Sequence, residues 1–243
     1  MNYREAIERL KSLSDPARVA AMSRFGVQVK KALGISAPEL RRLAREIGKD
    51  HAMAARLWSS GIHEARILAA LIDDAQFVTE GQMESWASDF DSWDVCDACC
   101  SNLFDRTPFA YRKAIEWSRR EEEYVKRAAF ALMAALAVHD KKAADENFVK
   151  FLPLIRRESA DDRNFVKKAV NWALRQIGKR NAALNRAAID AAREIQSVSS
   201  RSARWIAADA LRELTSEKVQ SRLRRKSSSF ERTSSDQRAR ANF

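Results

Sequence analysis

Apolar positions recur every three to four residues along most of the chain, a helical period with few interruptions. Residues 3–13 place Ile7, Leu10 and Leu13 on one face, which predicts an amphipathic helix. Ser14-Asp15-Pro16 sets a capping side chain before a proline near the first helical position and opens a second helix through Phe25. Gly26 and Gly34 frame an irregular connection. Ser36-Ala37-Pro38-Glu39 is a capping box, followed by Leu40, Leu43 and Ile47 at helical spacing before Gly48 stops the run. His51 to Trp58 and His63 to Ile72 continue the pattern, and Thr79-x-x-Gln82 reads as a second capping box with Met83 and Trp86 inward.

The next helix opens at Asp91-Ser92-Trp93-Asp94, with Ser92 placed to cap it by accepting a backbone N–H. Pro108 opens a helix through Trp117, and the acids Glu121, Glu122 and Glu123 precede a long apolar helix, Tyr124 to Val138. Helices are expected over 145–158, 162–178 and 181–196, and Ser199 or Ser200 can cap a last one through Leu214. No segment shows the two-residue alternation of a half-buried strand. Only 6 glycines and 4 prolines occur in 243 residues, which argues against a many-stranded fold. The expectation is all-α: about a dozen helices stacked in antiparallel pairs at a loose period of roughly 35–45 residues, with a non-repeating helical domain as the alternative. Residues 1–216 form this domain; 217–243, rich in serine and arginine with little to bury, are expected to be a disordered basic tail.

Charge narrows the partners. The net charge of +11 and pI near 9.9 point to a polyanion, nucleic acid first and an anionic membrane surface second. No apolar run approaches the ~18 residues of a membrane span, and Met1-Asn2-Tyr3-Arg4-Glu5 lacks the apolar core of a secretory signal, so a cytoplasmic, nucleoid-associated location is expected. Cys96, Cys99 and Cys100 crowd within two helical turns, far in sequence from His51, His63 and His139; that spacing fits core thiols in a reducing compartment rather than a zinc site. Phosphate-loop and dinucleotide motifs are absent, and neither metal nor cofactor is expected.

Two stretches carry candidate chemistry. Trp93 and Asp97 lie four apart on one helical face, with Asp94 directed elsewhere; an indole beside a carboxylate suits a cationic, partly apolar guest, although a core tryptophan next to a solvated acid reads the same way. Lys168, Trp172 and Arg175 follow one another at i, i+4 and i+7, outside the inward stripe of Val166, Ala169, Val170, Ala173, Leu174 and Ile177, and Lys179 and Arg180 extend the charge. That face suits a nucleic-acid groove or, equally, a tryptophan edge packed on a neighbour with its cations in water. Arg127, where the long apolar helix emerges, is placed to reach a phosphate or a carboxylate bidentately.

Trp93-Asp94-Val95-Cys96-Asp97 resembles the Trp-Asp-x-x-Asp element of the AlkD-type DNA glycosylases of the DNA alkylation repair family. Gly34-Ile35-x-x-Pro38-x-Leu40-Arg41, His63-Glu64-Ala65-Arg66, and Arg127 with Phe165 to Gly178 resemble further family elements in the same order, over about residues 20–215. The resemblance implies a curved α-solenoid of HEAT-like helix pairs that holds duplex DNA containing alkylated bases, acting as a monomer. It implies hydrolysis of the N-glycosidic bond of cationic purines, 3-methyladenine and 7-methylguanine among them, without base flipping. Asp97 matches the catalytic carboxylate, Trp93 and Trp172 the aromatics lining the site, and Arg127 the arginine that holds the DNA backbone. Lys168, Arg175, Lys179 and Arg180 are expected at phosphates. The alternative is a non-catalytic helical scaffold that binds DNA or a protein partner on its concave face.

Overall fold

The structure, a computed structural model, describes residues 1–25, 27 and 30–225. Its elements are α-helices with two short 3-10 turns, and no strand occurs among the described residues. The chain divides into two units, Met1–Leu132 and the residues from Met133 onward. No helix among the described residues is long and apolar enough to cross a membrane.

The first unit contains α1 (Tyr3–Ser12), α2 (Pro16–Met22), α3 (Ala37–Ile47), α4 (His51–Ser59), α5 (His63–Ile72), α6 (Glu80–Ser88), α7 (Trp93–Asn102), α8 (Ala110–Trp117) and the first part of α9 (Glu123–His139). The starts follow local chemistry. Ser36 and Glu39 close the expected capping box of α3 reciprocally, and Asp15 caps α2 ahead of Pro16. At α6 only half of the expected box forms: Thr79 accepts from the Gln82 N–H, but the Gln82 amide turns to Asp73, a fully buried carboxylate that needs donors more than the helix end does. Helices α3, α5 and α7 pack side by side, with α4 against α5. Trp58 and Trp86 stack with centroids 4.1 Å apart in the core. The buried ammonium of Lys113 lies 2.6, 2.7 and 2.7 Å from Glu80, Glu84 and Glu116, so its charge is compensated. Partners from α5 to α7 and from α7 to α9 lie 31 and 30 residues apart. This offset is shorter than the expected period because the intervening α6 and α8 have only 9 and 8 residues.

The second unit contains the rest of α9, then α10 (Asp145–Val149), α11 (Leu152–Glu158), α12 (Asn164–Gly178), α13 (Ala182–Gln196) and α14 (Arg201–Leu214). The single helix expected over 145–158 is two. Pro153 has no N–H and its ring crowds the carbonyl four residues back, so the ladder stops and restarts with proline in the first turn of α11. Helices α12 and α14 run alongside each other in the same direction: Asn171 bonds Asp209 and Arg175 bonds Glu213, both at an offset of 38 residues. That is the period expected of stacked pairs, with α13 as the return helix.

The boundary expected at 216 falls inside ordered chain. Residues 217–225 are helical, and Val219 and Leu223 are buried. Gln220 donates to Asn185 at 3.0 Å and to the Leu214 carbonyl at 2.6 Å. Two apolar residues at i and i+4 are enough to dock a short basic helix, which composition alone does not reveal. The remainder of the expected tail, 226–243, lies outside the described residues.

Candidate active site

A groove of about 420 Å³ opens in the first unit, with α3, α5 and α7 as its walls. Ile35, Leu40, Ile67 and Leu71 make its apolar side, and His63, Trp93, Asp94 and Asp97 face it with polar or aromatic atoms.

Its inner wall is set by the start of α5. Glu64 is buried and accepts from the backbone N–H groups of Leu33 and Gly34 at 2.7 Å each and of Ile35 at 3.3 Å. Three donors compensate a carboxylate taken out of water and pin the 33–35 segment against the groove. Gly34 has φ +77°, and a Cβ there would sit 2.3 Å from the Asp15 carbonyl oxygen, so the bend admits only glycine. The adjacent His63, buried as well, holds Asp94 through Nε2 at 2.9 Å. Burial disfavours the imidazolium, but the hydrogen bond and charge of Asp94, aided by Glu64 and Asp91, outweigh it and hold His63 above its ordinary value. Burial likewise works against the Asp94 carboxylate, yet His63 and Ser92 keep it below its ordinary range.

Two expectations about α7 change here. Ser92 sits at the N-cap position but does not accept from the helix; its hydroxyl donates to Asp94 at 2.8 Å. Asp94 accepts from the Val95 N–H instead, and it faces the same groove as Trp93 and Asp97 rather than pointing away. The Ser92 hydroxyl donates to this carboxylate because a charged acceptor makes the stronger hydrogen bond.

One turn on, Asp97 is gripped by Arg127 of α9. Nε of Arg127 donates to one carboxylate oxygen at 2.9 Å and an Nη to the other at 2.8 Å. Arg127 is buried, with its guanidinium carbon 5.8 Å from the Trp93 ring centroid. Burial pushes the Asp97 carboxyl above its ordinary range against the pull of Arg127, while Asp97 in turn holds Arg127 above its own. The Asp97 side chain keeps 21% exposure, which leaves its remaining lone pairs open to the groove. The three cysteines are buried in the core behind this face, with Cys96 and Cys100 near the Tyr124 and Ala128 carbonyls of α9.

The structure thus brings Trp93, Asp97 and Arg127 together and adds His63, Glu64 and Asp94. Sequence reasoning noted His63-Glu64-Ala65-Arg66 without giving it work. The usable signal is a Glu at the second position of an otherwise buried helix, since such a carboxylate must find donors.

The other expected site residues lie in the second unit, on α12 and just beyond it. Trp172 is half-buried and Lys168 exposed. Arg175 donates to Glu213 at 2.7 Å, Lys179 donates to the same carboxylate at 2.6 Å, and Arg180 donates to the carbonyls of Ala137 and Ala143 at 3.2 and 2.9 Å. Of the four cations expected at phosphates, three have internal partners of their own.

The family described as "DNA alkylation repair enzyme" matches residues 6–214. The chain belongs to this family. All the candidate residues fall within the matched stretch, and the 217–225 helix of this DNA alkylation repair family member lies beyond it. A solved structure from "a new family of proteins related to the HEAT-like repeat DNA glycosylases with affinity for branched DNA structures" shares its fold, with a TM-score of 0.73 at 15% identity over 88% of this chain and 95% of that one. No curated protein sequence gives a significant match. The all-α, HEAT-like helical-repeat class expected from the sequence is the class observed.

Proposed function

We propose that this DNA alkylation repair family member is a glycosylase that hydrolyses the N-glycosidic bond of positively charged alkylated purines in duplex DNA. The observation that carries the reading is the open groove in which Trp93 lies beside Asp97, with Asp97 held bidentately by Arg127.

Alkylation at N3 or N7 already places positive charge on the purine. The C1′–N bond breaks with its electron pair going to the base, which leaves neutral, and positive charge grows on the deoxyribose. A fixed carboxylate stabilises that charge, and the indole face favours the same cationic sugar and base. A water oxygen then bonds C1′, and its proton passes through Asp97 to solvent; a carboxyl raised by burial is a better base than one in water. Arg127 acts as a positioning residue for the carboxylate. Its fork fixes both oxygens at the cost of offsetting part of their charge. In this reading Trp172 stacks on the DNA and Lys168 contacts a phosphate. The lesion is reached from outside the duplex in this reading, since the groove is open rather than an enclosed pocket for a flipped base.

One observation favours a second reading. With Asp97 already paired to Arg127, the groove can serve recognition alone, and the structural neighbour is described by its affinity for branched DNA. The decisive measurement is release of 7-methylguanine from methylated duplex by wild type and by Asp97→Asn. Wild-type release above the spontaneous background that falls ~10²–10³-fold in Asp97→Asn supports the enzyme. Binding with no release by either protein supports the scaffold.

A further inference from the structure

We infer that a basic groove adjoining the candidate active site, along the second half of α3, binds the phosphate backbone of DNA and sets where a strand lies beside Trp93 and Asp97. The inference deepens the glycosylase reading and rests on DNA being the ligand of this protein.

The groove, of about 310 Å³, is lined by Arg41, Ala44, Arg45, Gly48, Lys49 and Leu71. Arg41 and Leu71 also line the candidate active site, so the two concavities adjoin. Leu40 and Arg41 face the candidate site, and Ala44, Arg45 and Gly48 carry the same face of α3 onward at i+3, i+4 and i+7 from Arg41. Arg41 and Arg45 are exposed, and neither guanidinium makes a hydrogen bond or an ion pair among the described residues. Arg106, exposed at the end of the 3-10 turn Phe104–Arg106, is the same in both respects. Lys49 lies between: its ammonium donates to the Leu71 and Asp73 carbonyls. Desolvation and the repulsion of Arg106 hold Lys49 below its ordinary range, against the pull of Asp74 and Asp73. Those two acids are already engaged, Asp73 with His51 and the Gln82 amide, and Asp74 with the Gln76 N–H.

The helix dipole accounts for a cation at Arg45, in the last turn of α3, but not for Arg106 on a separate element. Cations gathered at one concavity without carboxylates between them repel one another until an anion arrives. Four residues of helix advance about 6 Å, while one strand of a duplex carries a charge every ~3.4 Å of its axis. Arg41 and Arg45 are therefore spaced to meet about every second phosphate. Because Arg41 belongs to both concavities, a backbone held by Arg45 and Arg106 is led to the edge of the candidate site.

The test is fluorescence anisotropy of a labelled, undamaged duplex with the full chain across about 50 to 200 mM salt. Each lost phosphate contact makes the slope of log K against log salt shallower by about 0.9. The double variant Arg45→Gln/Arg106→Gln is expected to bind more weakly at low salt, with a slope shallower by roughly two. Arg42→Gln is the control for net charge: Arg42 lies on α3 outside both grooves, 3.9 Å from Glu46, and its loss should leave the slope unchanged. Circular dichroism melting checks folding, and if the double variant unfolds, Arg45→Gln alone is read, with an expected loss of about one in slope. An unchanged slope in the groove variants, or an equal loss in Arg42→Gln, overturns the groove and leaves the glycosylase reading intact. The expected slopes without release of 7-methylguanine from methylated duplex by the wild type uphold the groove and overturn the glycosylase. Failure of the wild type to bind duplex at all overturns both.

Discussion

Arg127 and Asp97 meet through two parallel N–H···O bonds of 2.9 and 2.8 Å, joining α9 to α7 at the floor of the candidate site. The pair joins stability to chemistry. Substituting either partner leaves the other buried and uncompensated, at a cost of about 3–5 kcal/mol. Asp97→Asn is milder, since the amide oxygen still accepts one bond. It is expected to lose ~10²–10³ in excision rate and also to lower Tm by several degrees, on the order of 2–4 °C per kcal/mol for a chain of this size. The double variant Asp97→Asn/Arg127→Met removes the stranded cation. Melting curves should show Tm largely restored while excision stays lost. If the double variant recovers activity, the carboxylate is not the stabilising group.

His63 and Asp94 give the site a pH signature. The folded-state value of His63 lies above its ordinary 6.5, so its contribution to stability is complete below about that pH and disappears as pH rises through the folded value. Asp94 lies below its ordinary 3.8, so its contribution is present above that value and is lost as pH falls through the folded one. Between these limits the ion pair holds α5 to α7. Melting from pH 5 to pH 9 should show wild type losing more stability than His63→Gln on the alkaline side. Parallel curves for the two proteins would mean that the pair has no net stabilising effect.

The bend at 33–35 is the third test. Gly34→Ala forces a Cβ to 2.3 Å from the Asp15 carbonyl and a left-handed backbone on alanine, at a cost of at least about 1–2 kcal/mol from the backbone alone. Glu64→Gln replaces a carboxylate that accepts three N–H groups with an amide that brings unwanted donors. Since Ile35 lines the groove, both changes should raise KM for methylated duplex more than they lower kcat. An unchanged KM would show that this wall does not touch DNA.

Much of this was legible along the chain, and the limits are physical. Helix starts announced themselves through short-range chemistry, as at Ser36 and Asp15, because a cap and its partner lie three residues apart. Trp93 and Asp97 were placed on one face for the same reason. What could not be read was the choice among distant partners. Arg127 was equally suited to phosphate or carboxylate, and only packing of α9 on α7 put Asp97 within reach. Helical spacing alone directs Asp94 away from Trp93 and Asp97, because the partner that turns it into the groove, His63, is a full helical repeat away. Pro153 marks the break between α10 and α11, but the apolar spacing runs on across it and predicts a single helix.

The last prediction concerns the cations of α12. Arg175 and Lys179 both donate to Glu213, and Arg175 also lies 3.4 Å from Asp209, so these charges are partly cancelled before any DNA arrives. Burial raises the Glu213 carboxyl, but Lys179 and Arg175 more than reverse that, and it stays ionised and paired at neutral pH. Glu213→Gln keeps an acceptor oxygen for one of the two cations and removes one negative charge. If Arg175 and Lys179 reach phosphates, this variant should bind undamaged duplex more tightly at low salt, with a slope steeper by about one. Lys168→Gln offers the contrast: the residue is exposed, so its loss should leave stability within about 0.5 kcal/mol of wild type while making the slope shallower by about one. Anisotropy titrations of the two variants separate the roles. A steeper slope in Glu213→Gln assigns Arg175 and Lys179 to DNA. An unchanged slope there, with a loss in Lys168→Gln, makes them a structural clamp between α12 and α14 and leaves Lys168 as the phosphate contact on that helix.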